Sequence, residues 1–272
     1  MALLALAAVC LAAALGDERD LVVLASGKEL RGRILRVDER ELVLRRSGRD
    51  QEFARKEVAR FESVDAALTA LLAEARPARL ARKEELPALA ERARAAGLAG
   101  EAANLWWHLL LLEPDSRAAH EALGHELRGG RHVVPLDGRT VDLAQRIELA
   151  RDWGSAWSFS SLHYELRTNL PLERALELGL DLERFYRAFF ALFGAELGLY
   201  EVCTPMKINV HAERASYPES AGENGRYEPD TDTVVVDASR GLHLATLVHE
   251  ATHQLLFVTA FKERGGQGEI PP

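Results

Sequence analysis

Near the end of the chain the stretch "TLVHEATHQLLF", Thr246 to Phe257, sets His249 and His253 four residues apart with Glu250 beside the first. At about 100° per residue on a helix, His253 falls about 40° from His249 and Glu250 about 100°, so the three share one sector. Two imidazoles one turn apart can aim a ring nitrogen each at a single ion, and the carboxylate between them stands beyond the ligands, placed to take a proton from metal-held water. Zinc lowers the pKa of such a water to about 7, which makes it a nucleophile for a carbonyl near neutral pH. The chemistry expected is metal-assisted hydrolysis, with Zn2+ as cofactor, His249 and His253 as ligands and Glu250 as general base. With nine histidines and 29 glutamates in 272 residues, random placement yields this pattern roughly 0.03 times. The competing explanation, a solvated face, suits the flanking Thr246, Thr252 and Gln254 poorly because such faces usually carry more charge. Leu244, Leu247, Val248, Ala251, Leu255 and Val258 occupy the opposite arc, so the helix is expected to have a dry back.

The elements that must hold this helix read as strand, helix, strand, strand, helix. Ser158–Thr168 has strand character, Leu172–Leu197 is amphipathic with helical period, Met206–His211 and Thr233–Asp237 are short β-branched runs, and the motif helix spans about Leu242–Ala260. This order is an α+β pattern. His211 follows a strand and reads as solvated, Tyr227 as packing a loop onto the sheet, and His163 and His243 as lone histidines.

Earlier parts of the chain change period. Residues 1–16, "MALLALAAVCLAAALG", carry no charge and end in the small residues Ala14-Leu15-Gly16 before Asp17, the pattern of a signal peptide too short for a membrane span. Export is the expectation, to the periplasm, cell envelope or exterior, with no stable membrane span once the segment is removed and with Cys203 then unable to pair within the chain. Residues 17–64 alternate with period two between Gly, Ser and Asp turns, giving a small antiparallel β-barrel, SH3-like or Sm-like in size. Residues 65–128 shift to helical spacing, broken at Gly97, Gly100 and Pro114, which suits a helical hairpin of tetratricopeptide type with one to one and a half repeats. Trp106 and Trp107 are expected in its packing. "HEALGH", His120 to His125, repeats the histidine theme, but five positions on an unbroken helix part the imidazoles by about 140°, so that pair is not expected to meet. Residues 129–156 read as a hairpin and linker, and 157–272 as the last domain.

A net charge of −8 excludes the usual nucleic-acid binder, which needs a surplus of Lys and Arg to neutralise phosphates. The barrel or helical module is left as a possible surface for a protein partner.

On "VHEATHQLLF" the sequence resembles the active-site helix of zincin metallopeptidases, gluzincin branch, since Leu256 and Thr259 stand where the metzincin pattern has glycine and histidine. It is more narrowly similar to peptidase-MA-like domains of exported bacterial proteins. "HYELRTNLP", "PMKINVHAERASY" and "GRYEPDTDTVVVD" extend the likeness over roughly 157–272. The resemblance implies a zincin-like mixed sheet with an active-site helix, a peptide or protein substrate, and roles for His249, His253 and Glu250 as above. It further implies that "TDTVVVD", with Thr233, Val234, Val235 and Val236, is the edge strand that lines the cleft and pairs with extended substrate. Gluzincins take a third ligand from a glutamate on the following helix. Here the only downstream carboxylates, Glu263 and Glu269, lie in a Gly-rich tail and read as loop charge, so the expectation is a chain truncated before that helix, without the downstream His or Tyr that steadies an oxyanion.

Overall fold

The computed structural model describes residues 19–47, 49–194, 196, 197, 199, 202, 204–218 and 224–259. The segment expected to be a signal peptide, Cys10, Cys203, Glu263 and Glu269 lie outside them. The fold is mixed α+β, and the chain divides into two compact units, up to Ala70 and from Leu71 onward.

The first unit is an antiparallel sheet of β1 (Asp20–Leu24), β2 (Glu29–Val37), β3 (Glu41–Arg46), β4 (Arg49–Ala54) and β5 (Val58–Glu62), in the order β4-β3-β2-β1-β5. Period-two alternation drives Val22, Leu30, Ile34, Leu42, Leu44 and Val58 into one core. The buried Asp20 carboxylate accepts from the Ile34 amide at 2.7 Å and the Val64 amide at 2.9 Å, tying β2 to the first turn of α1 (Val64–Glu74).

In the second unit α2 (Pro77–Leu80), α3 (Leu86–Ala95), α4 (Ala99–Leu112) and α5 (Arg117–Ala122) precede a three-stranded sheet of β6 (Glu126–Arg128), β7 (Arg131–Leu136) and β8 (Arg139–Val141), then α6 (Leu143–Leu149). Asp142 caps α6 by accepting from the Gln145 amide at 2.7 Å. A mixed sheet follows, built from β9 (Trp157–Ser160), β10 (Tyr164–Thr168), β11 (Met206–His211), β12 (Gly225–Glu228) and β13 (Thr233–Asp237) in the order β12-β13-β11-β10-β9. The central three strands are parallel, and β9 and β12 run antiparallel at the edges.

Two helices, α7 (Leu172–Phe189) and α8 (Leu244–Phe257), cover one face of this sheet. Leu178, Leu182, Tyr186 and Phe189 from α7 meet Leu247, Ala251, Leu255 and Val258 from the α8 segment over Tyr164, Leu166, Ile208, Val210, Val234 and Val236. Each large apolar side chain buried there contributes about 1.5–3 kcal/mol.

The helical segment is part of this same unit, and three contacts explain why. Gly100 lies so close to the Ser160 carbonyl oxygen that any Cβ would collide with it. Glu101 accepts from the Leu162 amide at 2.7 Å, and Asn104 donates to the Leu176 carbonyl at 3.0 Å. Beneath them His163 Nδ1 and Glu183 Oε2 pair at 2.7 Å with both side chains fully buried. Burial, with the nearby Glu183 charge adding to it, pushes the Glu101 carboxyl up to about 7.

Several boundaries differ from the sequence expectation. Ser158–Thr168 is two antiparallel strands joined by a turn. The long helix ends at Phe189 and continues as a wider π turn over Phe190–Gly194. The helix of "HEALGH" stops at Ala122, and Gly124 turns the chain with φ of 70°.

Candidate metal-binding site

The α8 helix presents His249 and His253 on its solvent face, with Glu250 half-buried beside them. Their Nε2 atoms are 3.1 Å apart, and the rings stand nearly perpendicular, at 81° with centroids 4.6 Å apart. Two nitrogens each about 2.0–2.1 Å from a tetrahedral zinc would be separated by about 3.3 Å. The pair therefore fits as two ligands of one ion, and without the ion one ring N–H can donate to the other ring's lone pair. Among the described residues no group of three His, Cys, Asp or Glu side chains has a metal-holding arrangement.

The roll of α8, which aims these rings outward, is set from below. Gln254 is fully buried, and its Nε2 donates to the Asp232 carbonyl at 2.9 Å and the Lys207 carbonyl at 3.3 Å, at the starts of β13 and β11. The wheel had put Gln254 on the polar front. Its burial follows from those two carbonyls, which need donors where the helix crosses the strand ends. Leu247, Ala251, Leu255 and Val258 form the dry back as expected, but Leu244 and Val248 do not: they are 44% and 40% exposed. They stand at the flank of the helix over an apolar groove of about 280 Å³ that α7 lines from the other side with Leu178, Leu182 and Phe185.

Thr233, Val234, Val235 and Val236 are not on the sheet edge. Their strand, β13, is bonded to β11 on one side and β12 on the other, and all four side chains are buried. The cause lies in "GRYEPDTDTVVVD", which folds back on itself as a hairpin with Asp232 in the left-handed region at φ 52°. The outer edge is therefore β12. At Gly225 this edge strand passes so close to α8 that a Cβ would come within 2.8 Å of Thr246 Cγ2 and 3.4 Å of Glu250 Cγ. A glycine brings the strand's backbone alongside the stem of Glu250. The "GRYE" run was short enough to be read as loop, and the "EPDTDT" turn after it was the signal for a hairpin.

The remaining candidates lie elsewhere. Tyr227 packs edge-on against Phe257 and donates from Oη to Asp232 Oδ1 at 3.1 Å, which agrees with a packing role. His211 is buried and not solvated, stacked on Trp153 at 3.7 Å, with Nδ1 3.2 Å from Ser216 Oγ. Burial, together with the Arg167 charge, pulls His211 down to about 4. His163 is the buried partner of Glu183, and His243 is exposed ahead of α8.

No protein-family model matches the chain, nor does any curated protein or any solved structure. The case for a function rests on the geometry of these residues.

Proposed function

We propose that the chain is an exported zinc-dependent peptidase. The observation that carries this reading is the Nε2 pair of His249 and His253, 3.1 Å apart on an exposed helix face with Glu250 adjacent and, among the described strands, the outermost strand of the sheet beside it. His249 and His253 would hold the ion through Nε2. Zinc, when bound, supplies Lewis acidity at the scissile carbonyl and a lowered water pKa. The Glu250 carboxylate takes a proton from the attacking water as its oxygen bonds to the acyl carbon, then returns that proton to the amine nitrogen as the C–N bond breaks. An extended substrate segment would pair by backbone hydrogen bonds with β12, the outermost of the described strands, in place of the interior strand that the sequence suggested.

That no third ligand is found among the described residues favours a second reading, a non-catalytic exported scaffold or binding protein with a degenerate zincin-like domain. Two measurements separate them. Under the peptidase reading the purified chain retains about one zinc per molecule by elemental analysis, lost in His249→Ala, and it cleaves an unfolded protein substrate. A chain that binds no zinc, or binds zinc and cleaves nothing at any pH, supports the scaffold.

A further inference from the structure

The three histidines of the helical segment and its adjoining hairpin form a cluster apart from the α8 pair. His120, on the last turn of α5, is 2% exposed. Its Nε2 lies 2.8 Å from the Pro114 carbonyl oxygen, which can only accept, so Nε2 carries the proton and Nδ1 offers a lone pair. His125 Nδ1 lies 2.7 Å from that lone pair and must donate to it. The turn that ends α5 makes this possible, with the His125 amide donating to the His120 carbonyl at 2.9 Å. His132, from β7, stacks on His120 with centroids 4.2 Å apart and planes 11° from parallel, while His125 sets its ring against Trp107 at 5.3 Å.

This arrangement does not suit a metal. The Nδ1 atoms of His120 and His125, 2.7 Å apart, are closer than the roughly 3.3 Å that two ligands of one zinc keep, and the stacked parallel rings of His120 and His132 cannot converge their in-plane lone pairs on one ion. It suits proton counting instead. With no added proton the relay runs from His125 to His120 to Pro114. One added proton is tolerated, because an imidazolium still donates to a neutral imidazole. A second places two N–H groups face to face at the same short distance, beneath the stacked ring of His132.

We propose that His120, His125 and His132 form an acid-released latch that holds the β6–β8 sheet against the helical segment. Burial, and then the charges of His120 and His132, hold His125 down to about 4, so the latch is closed near neutral pH. The other ionisable groups facing the adjoining cleft are Asp115 from the turn after α4, Arg131 from β7 and Asp142 ahead of α6. The Asp142 carboxylate already accepts from the Gln145 amide, and Arg131 adds positive charge that opposes further protonation. The β6–β8 sheet buries only Val134 and Val141 among its own strand residues, so little apolar contact holds it once the histidines repel. Its release would open the cleft of about 660 Å³ that it shares with α4, α5 and α6.

The test uses the full chain. Long-range proton–nitrogen NMR at about pH 7.5 should show His120 protonated on Nε2 and His125 on Nδ1, with His125 titrating about two units below an ordinary histidine. Hydrogen exchange, corrected for intrinsic rates, should show residues 126–141 losing protection at least about tenfold between about pH 7 and 4.5 while β11 and β13 keep theirs. In His125→Gln, whose amide can still donate to His120 but cannot titrate, that pH dependence should flatten. The opposite tautomers, an unshifted His125, pH-independent protection of 126–141 in the wild-type chain, or an unchanged profile in His125→Gln would each overturn the latch.

Discussion

The chain contains two pairs of histidines that meet through like nitrogens, and they have opposite surroundings. His249 and His253 are four residues apart on a continuous helix, so both rings rise from one face into solvent and their Nε2 atoms remain available to a ligand. His120 and His125 are five apart across a helix end, so the rings close only because the chain turns at Gly124, and they close inward onto the Pro114 carbonyl. Proximity of imidazoles is common to both. What separates a metal-ready pair from a proton relay here is spacing and access: 3.1 Å on an exposed face against 2.7 Å with His120 buried, where about 3.3 Å suits two ligands of one zinc.

The largest effect is expected at the α8 pair. Glu250→Gln should lower hydrolysis of a protein substrate by at least about a thousandfold while the zinc content by elemental analysis stays at the wild-type level. Equal loss of both would make Glu250 a structural residue. The second largest effect belongs to the buried cluster. His125 is shifted from 6.5 to about 4, so its neutral form stabilises the fold fully above the unfolded pKa, and that stability is lost as pH falls from about 6.5 towards 4. At about 1.4 kcal/mol per unit the full shift would be about 3 kcal/mol, and solvent screening at this half-buried ring reduces the loss to about 1–2 kcal/mol, measurable by denaturant unfolding at several pH values in wild type against His125→Gln. A wild-type stability that stays flat over that range would remove the distinction between the two pairs.

Gln254→Ala leaves the Asp232 and Lys207 carbonyls without their buried donor and should cost about 2 kcal/mol in thermal unfolding, with zinc affinity weakened through the roll of α8. Gly225→Ala sets a Cβ 2.8 Å from Thr246 Cγ2, so β12 or the Thr246 side chain must move beside the stem of Glu250, and kcat should fall about tenfold with zinc content unchanged. If kcat is untouched while KM rises, β12 acts on substrate binding alone.

The sequence made the α8 pair legible because its geometry is local: period 3.6 and a run from Leu244 to Phe257 with no breaker inside it fix where His249, Glu250 and His253 point. The α+β class was legible for the same reason, from runs with clear period. What escaped were features set by partners distant in sequence. Gln254 looks like any polar residue at its wheel position until two strand-end carbonyls are brought to it. The edge of the sheet moved from Thr233–Val236 to Gly225–Glu228 because a four-residue strand has too few alternations to register a period. The "HEALGH" pair is parted only on an unbroken helix, and the glycine inside the motif itself turns the chain after Ala122 and brings the rings together.

The fit of Gly100 against the Ser160 carbonyl, with Glu101 and Asn104 bonded across to Leu162 and Leu176, bears on how such a protein can be rearranged in evolution. A shortened chain beginning at Trp157 would strip these bonds from the sheet and expose the face on which Trp107 packs. The helices and the sheet should therefore be inherited, duplicated or lost together, and recombination that exchanges one without the other should yield chains that do not fold.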